Sequence, residues 1–125
     1  MSAIHEARLH LAKSAEFLGA AQASLDAGFF NAATSDAVLA GINAKDAICL
    51  KLTGRTRKTE NHNDAVDDLS RAGRAAADLA PTMSRLIKLK SRSQYQSASV
   101  AQQDARSAVE WAQRMCDAAK AILTA

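Results

Sequence analysis

The sequence predicts an all-α protein, an up-and-down antiparallel bundle of four long helices plus one short helix, in a single domain over residues 1–125. Three observations lead to this prediction. Alanine, the best helix former, recurs along most of the chain. Apolar residues repeat at helical spacing in several long runs. The regular turn signals and β-branched runs that mark a β-sandwich are missing from the sequence.

The composition is that of an ordinary globular domain. The 125 residues are 48% hydrophobic and 23% charged, which suits one domain with a buried core. No apolar stretch approaches the roughly 20 residues that span a bilayer, and the N-terminus lacks the features of a secretory signal. Cys49 and Cys116 lie among apolar neighbours and are expected to be core residues. We therefore expect a cytoplasmic protein, and its net charge of +3 permits an RNA partner without requiring one.

A leucine repeat and a seam of small residues predict the first two helices. Ser2 can cap the first helix, and Gly28 can end it because glycine tolerates the left-handed conformation. Asn31 is expected to cap the second helix. The first helix has one apolar residue at every seventh position: Ile4, Leu11, Leu18 and Leu25. The second helix has a seam that predicts a central position: Ala33, Ala37, Gly41, Ala44 and Ile48.

The second half of the chain follows a polar, basic break at residues 54–62. Thr59 or Asn61 can cap a third helix that continues to Leu79, weakened by Gly73 and ended by Pro81. Pro81 also suits the first turn of a fourth, shorter helix. Residues 91–99 are predicted to form a loop, and a capping box over residues 99–102 starts the last helix. Its seam has the spacing of a bundle helix: Ala101, Ala105, Ala108, Ala112, Met115, Ala119 and Ile122.

Two polar side chains interrupt the apolar second helix. Asp36 and Asn43 stand seven residues apart and therefore on one face. Buried polar groups normally have hydrogen-bond partners, so one interpretation is a capping or interhelical hydrogen bond. A direct role in a functional site is the alternative.

The break contains the first candidate site, because here two arginines precede a histidine by a few residues. Arg55 and Arg57 precede His62 by seven and five positions. Metal-free RNA cleavage needs a base for the ribose 2′-hydroxyl and a cation for the phosphate. Histidine and arginine supply these groups, so His62 is a candidate general acid/base, with Arg57 or Arg55 on the phosphate. The alternative is a first-turn histidine behind solvated arginines.

A second basic group lies further along the chain. Arg85, Lys88 and Arg92 have spacings of three and four and share one helix face, with Lys90 close by and Tyr95 following. Cations can bind phosphates and an aromatic ring can stack on a base, so these are candidate nucleic-acid-binding residues. The alternative is a solvated helix face.

Other polar groups suggest no site. His5 and His10 point in different directions from a helix and are poorly placed as a metal pair, so no metal site is predicted. Asp64, Asp67 and Asp68 suit the positive start of a helix and are expected to have no further role.

Two stretches of the chain resemble HEPN domains. The run Phe17–Ala33 resembles the opening of these domains, and Leu89–Tyr95 with the Ala-rich helix after it resembles their closing half. The resemblance covers nearly the whole chain and implies a helical bundle that forms a homodimer. Many members are metal-independent ribonucleases of toxin–antitoxin, defence or RNA-processing systems, and small members are often partnered with a minimal nucleotidyltransferase. No cofactor is expected.

The catalytic signature of the family is an arginine followed, after four to six residues, by a histidine. Arg57 and Arg55 both fit this spacing to His62. In the family the signature lies near the start of the last long helix, where this chain has Arg92 and Tyr95 and no following histidine. His62 instead resembles a histidine that many members carry at the start of the third helix.

The resemblance therefore leaves two functions open. The first is a metal-independent endoribonuclease whose site combines Arg57, His62 and Arg92, within one protomer or across a dimer. The second is a non-catalytic interaction module that binds a partner protein, such as a nucleotidyltransferase-type antitoxin, or nucleic acid.

Overall fold

The computed structural model describes residues 1–59, 61 and 63–125. Within these residues the secondary structure is entirely helical, which confirms the predicted all-α bundle. None of the described helices combines the length and the apolar character that crossing a membrane requires. The helices are α1 (Ala3–Asp26), α2 (Phe30–Thr53), α3 (Asn63–Arg71), α4 (Arg74–Ala77), α5 (Ala80–Gln94) and α6 (Gln102–Thr124).

Helix α2 is the centre of the bundle, as its seam of small residues predicts. It packs against α1, α5 and α6, and also contacts α3. Small side chains allow these close approaches: a Cβ on Gly41 would lie only 2.7 Å from Leu86 Cδ1. Cys49 and Cys116 are free and buried, as expected for core cysteines.

The ends of α1 follow the local sequence signals. Ser2 caps the helix, and its Oγ accepts a hydrogen bond from the His5 N–H at 3.2 Å. The helix ends at Asp26, and Gly28 just beyond it takes a φ of 82°.

Asn61 contacts the start of α3, where its Oδ1 accepts the Asn63 N–H at 3.1 Å.

Two predicted caps are wrong, and in one of them a tertiary contact uses the polar side chain instead. Helix α2 begins at Phe30, and the side chain of Asn31 accepts the Val100 backbone N–H at 2.8 Å. Helix α6 begins at Gln102 without a side-chain cap, so Ser99 does not cap it. The Asn31 bond instead fixes the turn before α6 against the start of α2.

The predicted third and fourth helices have different limits in the structure. Gly73 takes a φ of 115° and breaks the third helix into α3 and the single turn α4. Pro81 lies in the first turn of α5, as predicted. Helix α5 then continues to Gln94, so the loop predicted from residue 91 begins later. The last turn of α5 is held by the hydrogen bond from the Tyr95 N–H to the Ser91 carbonyl at 2.8 Å.

Candidate functional site

The central loop, residues 54–59, turns back along the C-terminal half of α2. Gly54 ends α2 in the left-handed conformation, with a φ of 77°, and its N–H donates to the Leu50 carbonyl at 3.0 Å. The Thr53 Oγ1 then accepts the Arg55 N–H at 3.2 Å. The local sequence therefore makes a sharp turn that carries the following basic residues back beside α2 and α3.

Lys45 of α2 lies underneath this loop. Its side chain is 1% exposed, and its Nζ donates to Thr56 Oγ1 at 2.8 Å and to the Arg57 carbonyl at 3.0 Å. It also forms ion pairs with Asp46 at 3.2 Å and with Asp68 at 2.9 Å. A buried ammonium is tolerated only where paired charges and hydrogen bonds replace water. These five residues are called the Lys45 network below.

Asp68 of α3 binds the loop from the other side. Its carboxylate accepts the Arg57 backbone N–H at 3.1 Å and contacts the Arg57 guanidinium at 2.8 and 2.7 Å. Partial burial alone would raise the pKa of Asp68, but hydrogen bonds from Arg57 and Lys45 outweigh it and lower the pKa to about 2. Asp68 is therefore a carboxylate anion at neutral pH.

The guanidinium of Arg57 is surrounded by carboxylates. Besides Asp68, it pairs with Asp67 at 2.7 Å and with Asp64 at 3.3 Å. The hydrogen bonds to Asp68 and Asp67 raise the pKa of Arg57 above its ordinary value. The expectation that these aspartates have no further role is wrong, because the folded loop brings Arg57 over the first turns of α3.

The polar contacts continue to α1 through Asn43. Its Oδ1 lies 2.9 Å from His10 Nδ1, and its Nδ2 donates to the Leu39 carbonyl at 2.9 Å. The predicted interhelical hydrogen bond of Asn43 is therefore present. His10 also lies 4.0 Å from Asp46, which connects it to the Lys45 network. Asp36 is half-buried on α2, where burial raises its pKa, and a direct role for it stays a prediction.

An open groove of about 830 Å³ borders the central loop. Four cationic side chains line it, against the two acids Glu6 and Asp68: Arg55, Arg57, Lys58 and Arg71. Arg57 is held by the aspartates of α3, and Arg71 pairs with Asp67 at 3.1 Å. Arg55 and Lys58 are exposed and have no carboxylate partner within residues 1–59, 61 and 63–125. Within the described part of the chain, the groove thus has two cations available for an anionic ligand.

The structure brings only some of the predicted catalytic residues together. Arg55 and Arg57 line the same groove, whereas His62 lies outside the described residues. Arg92 lies elsewhere, paired with Asp104 of α6 at 3.1 Å. Whether Arg57 and Arg92 contact a phosphate stays a prediction.

A contact of Gln94, two residues after Arg92 on α5, shows at which end of α2 Arg92 lies. Gln94 donates to Ser35 Oγ at 2.8 Å, near the start of α2. Ser35 and Lys45 are separated by ten residues of helix, or roughly 15 Å. Within one protomer, Arg92 therefore lies near the start of α2, whereas the central loop lies beside the C-terminal half of α2.

The basic face of α5 is solvent-exposed, as its spacing predicts. Arg85, Lys88 and Arg92 are all exposed, and Tyr95 is 73% exposed just after the helix. Lys90 is half-buried. Phosphate binding by these residues stays a prediction.

Lys45 and Asp46 are site residues that the sequence pattern did not indicate. The available signal was a pair of adjacent charges inside an apolar helix, between Ala44 and Ile48 of the buried seam. Such charges must find partners when the helix packs. Their partners lie in the central loop and α3, which sequence spacing alone does not connect. Among the described residues, no group of three or more histidine, cysteine or acidic side chains is arranged to hold a metal ion.

Two comparisons with known proteins bear on this site. A family model described as the HEPN domain matches residues 7–122. A search of curated proteins finds no match. The family match extends from the second turn of α1 nearly to the end of α6, and so includes the central loop and every residue of the Lys45 network. Because a single family model accounts for nearly the whole of this helical chain, the protein belongs to the HEPN domain family.

Proposed function

We propose that this HEPN protein binds RNA and that the RNA backbone lies in the groove beside the central loop. HEPN domains often act as dimers and bind RNA, so the family supports an RNA-related function. The observation that carries the proposal is the pair Arg55 and Lys58, exposed on the groove and without carboxylate partners in the described chain. Phosphate contacts of this kind supply most of the affinity of non-specific nucleic-acid binding.

The remaining groove cations have smaller roles in this proposal. Arg71 is 79% exposed and its pair with Asp67 is a surface ion pair, which contributes little and can be exchanged for a phosphate contact. Arg57 is surrounded by Asp64, Asp67 and Asp68, so its charge is largely neutralised where it lies. Arg55 is therefore the arginine we assign to the phosphate.

The finer proposal is that the protein cleaves the RNA without a metal, as a toxin or defence ribonuclease. His62 follows the groove residue Lys58 by four positions in the sequence. It would remove the proton from the ribose 2′-hydroxyl, whose oxygen attacks the phosphorus. The bond from phosphorus to the 5′-oxygen then breaks, the proton held by His62 is returned to that oxygen, and a 2′,3′-cyclic phosphate remains. Arg55 would stabilise the negative charge of the transition state.

The test is binding and cleavage of end-labelled RNA in the presence of chelator. Arg55→Ala and Lys58→Ala should each weaken binding and lower the slope of log affinity against log salt by about 0.7. His62→Ala should abolish cleavage and leave binding in place. Arg106→Ala is the matched control, because it also removes one exposed cation. Arg106 is near the start of α6, which lies beside the start of α2 and therefore away from the central loop. RNA binding that neither salt nor the Arg55 and Lys58 variants change would refute the proposal.

A second candidate function uses the basic face of α5. Arg85 and Lys88 are exposed and lack carboxylate partners in the described residues, and Tyr95 is exposed beyond them. This surface would make the protein a non-catalytic module that binds nucleic acid or a partner such as a nucleotidyltransferase-type antitoxin. Lys88→Ala and Arg92→Ala should then weaken binding in a salt-dependent manner, while Arg55→Ala should not. A homodimer is proposed for either function, and light scattering of the purified protein measures it.

A further inference from the structure

Lys45 is the largest fully buried side chain of the described residues, and it is charged. Because its Nζ is surrounded by oxygen atoms, its charge has no direct contact with a ligand in the groove. We infer that Lys45 is a positioning residue, which sets the conformation of the central loop and thereby places Arg55 and Lys58 for RNA. This inference rests on the proposed RNA-binding function of the groove.

The first support is the set of atoms that Lys45 contacts. Its Nζ binds the loop twice, at the Thr56 hydroxyl and at the Arg57 carbonyl, 2.8 and 3.0 Å away. It binds α3 once, through Asp68 at 2.9 Å. The ammonium group thus lies where α2, the central loop and α3 meet, and it joins all three.

The second support is that Arg57 is fixed at both of its backbone groups. Lys45 binds its carbonyl, and Asp68 accepts its N–H at 3.1 Å. Since Lys45 and Asp68 also contact each other, the three residues form a closed ring of polar contacts around the Arg57 backbone. The two peptide planes beside Arg57 therefore have a set orientation, and these planes connect it to Thr56 and Lys58.

The third support is the contrast between the enclosed and exposed parts of the loop. Thr56 is half-buried, and its hydroxyl donates to Asp46 at 2.5 Å while accepting from Lys45. Arg55 and Lys58, on either side of the Thr56–Arg57 pair, are exposed on the groove. Holding two central residues from inside the protein leaves the flanking side chains exposed on the groove and reduces the ordering that binding requires.

The test variant is Lys45→Met combined with Asp46→Asn. It removes one buried charge of each sign and keeps Asp68 paired with Arg57. We expect a folded protein whose RNA affinity falls at least tenfold and whose salt slope falls by about 1.4, the contribution of two lost phosphate contacts. The amide protons of residues 55–58 should exchange faster than in the wild type.

Met115→Ala is the control for a purely structural effect. Met115 is fully buried in α6 and outside the Lys45 network, so this variant lowers thermal stability without touching the loop. Its RNA affinity and salt slope should equal those of the wild type. An equal loss of affinity in both variants, or an unchanged affinity and slope in Lys45→Met/Asp46→Asn, would overturn the inference.

Two further measurements keep the inference testable if an experiment fails. Should the double variant not fold, Thr56→Val removes one contact of Lys45 and should still speed amide exchange in the loop and weaken RNA binding. Should the wild type bind no RNA, the proposed function fails, and hydrogen exchange alone then tests the loop. Exchange at residues 55–58 that is no faster in the Lys45 or Thr56 variants than in Met115→Ala would show that Lys45 does not position the loop.

Discussion

The protein has two basic surfaces that look alike in sequence and differ in how their residues are held. The central loop is attached from below by Lys45 and from the side by Asp68, through side-chain and backbone contacts. The basic face of α5 projects from a regular helix, where Arg92 pairs with Asp104 and both side chains are nearly half exposed. The geometry of the first surface is therefore set by contacts with the interior, whereas the side chains of the second are exposed on the outside of a helix.

This difference has consequences for binding. Exposed cations on a helix attract any polyanion, with an affinity that depends strongly on salt and little on shape. Cations on a fixed loop lose less conformational freedom when they bind, because part of the ordering has been done during folding. The spacing of charges along the sequence therefore locates the basic surfaces, whereas the contacts beneath them determine which surface is preorganised.

Removing the cation beneath the loop should change the stability of the protein most. Lys45→Ala leaves the buried Asp46 without its ammonium partner and removes one contact of Asp68, and we expect a loss of roughly 3–5 kcal/mol in the free energy of unfolding. Urea denaturation followed by circular dichroism measures it. A loss below about 1 kcal/mol would mean that Lys45 is not paired as described, and would remove the contrast between the two surfaces.

The RNA affinities of paired variants test the comparison directly. Arg55→Ala/Lys58→Ala should lower the salt slope by about 1.4 and weaken binding at every salt concentration below 0.2 M. Arg85→Ala/Lys88→Ala removes the same charge from α5 and should have a smaller effect on affinity. Fluorescence anisotropy with one labelled RNA gives both values. A larger effect of the α5 pair would move the RNA site to that face.

The acid side of the stability profile tests how the loop is attached to α3. The folded-state pKa of Asp68, about 2, lies below its ordinary value of 3.8. Its contribution is therefore fully present above about pH 4, and it is lost as the pH falls towards 2. The free energy of unfolding, measured by urea titration between pH 2 and 5, should decline over this range. In the Asp68→Asn variant the free energy of unfolding should decline less steeply over the same range. Identical profiles for the two proteins would contradict the lowered pKa of Asp68.

The smallest effect is expected on α5. Arg92→Ala removes a surface ion pair with Asp104, in which both side chains are more than 40% exposed. Such pairs contribute about 0–1 kcal/mol, and the contribution decreases with added salt. Thermal unfolding at low and high salt measures it. A loss comparable with that of Lys45→Ala would show that the α5 face is as firmly held as the loop.

Local signals predicted several features of the fold correctly because each acts within a few residues. The Ser2 cap, the turn at Gly28 and the helix start at Pro81 depend on short-range hydrogen bonds and backbone angles. The predictions failed where a polar side chain is used across the bundle. Asn31 binds the backbone at Val100 instead of capping its own helix.

The candidate site shows the same division. The sequence located the basic central break and its two arginines, since clusters of charge are visible along the chain. It did not show that Arg57 is enclosed by Asp64, Asp67 and Asp68 while Arg55 is free of carboxylates in the described structure. The positions of these aspartates relative to the loop depend on how α3 packs, which spacing does not specify.

Helix propensity and apolar periodicity are local properties, so the amino-acid sequence is enough to predict an all-α bundle with a small-residue central helix. The burial of Lys45 beneath the central loop and its contact with Asp68 of α3 follow instead from how the helices pack. The physical reason is that a buried charge has no preferred partner until packing excludes water and selects one. The groove at the centre of the proposed function is a product of that selection.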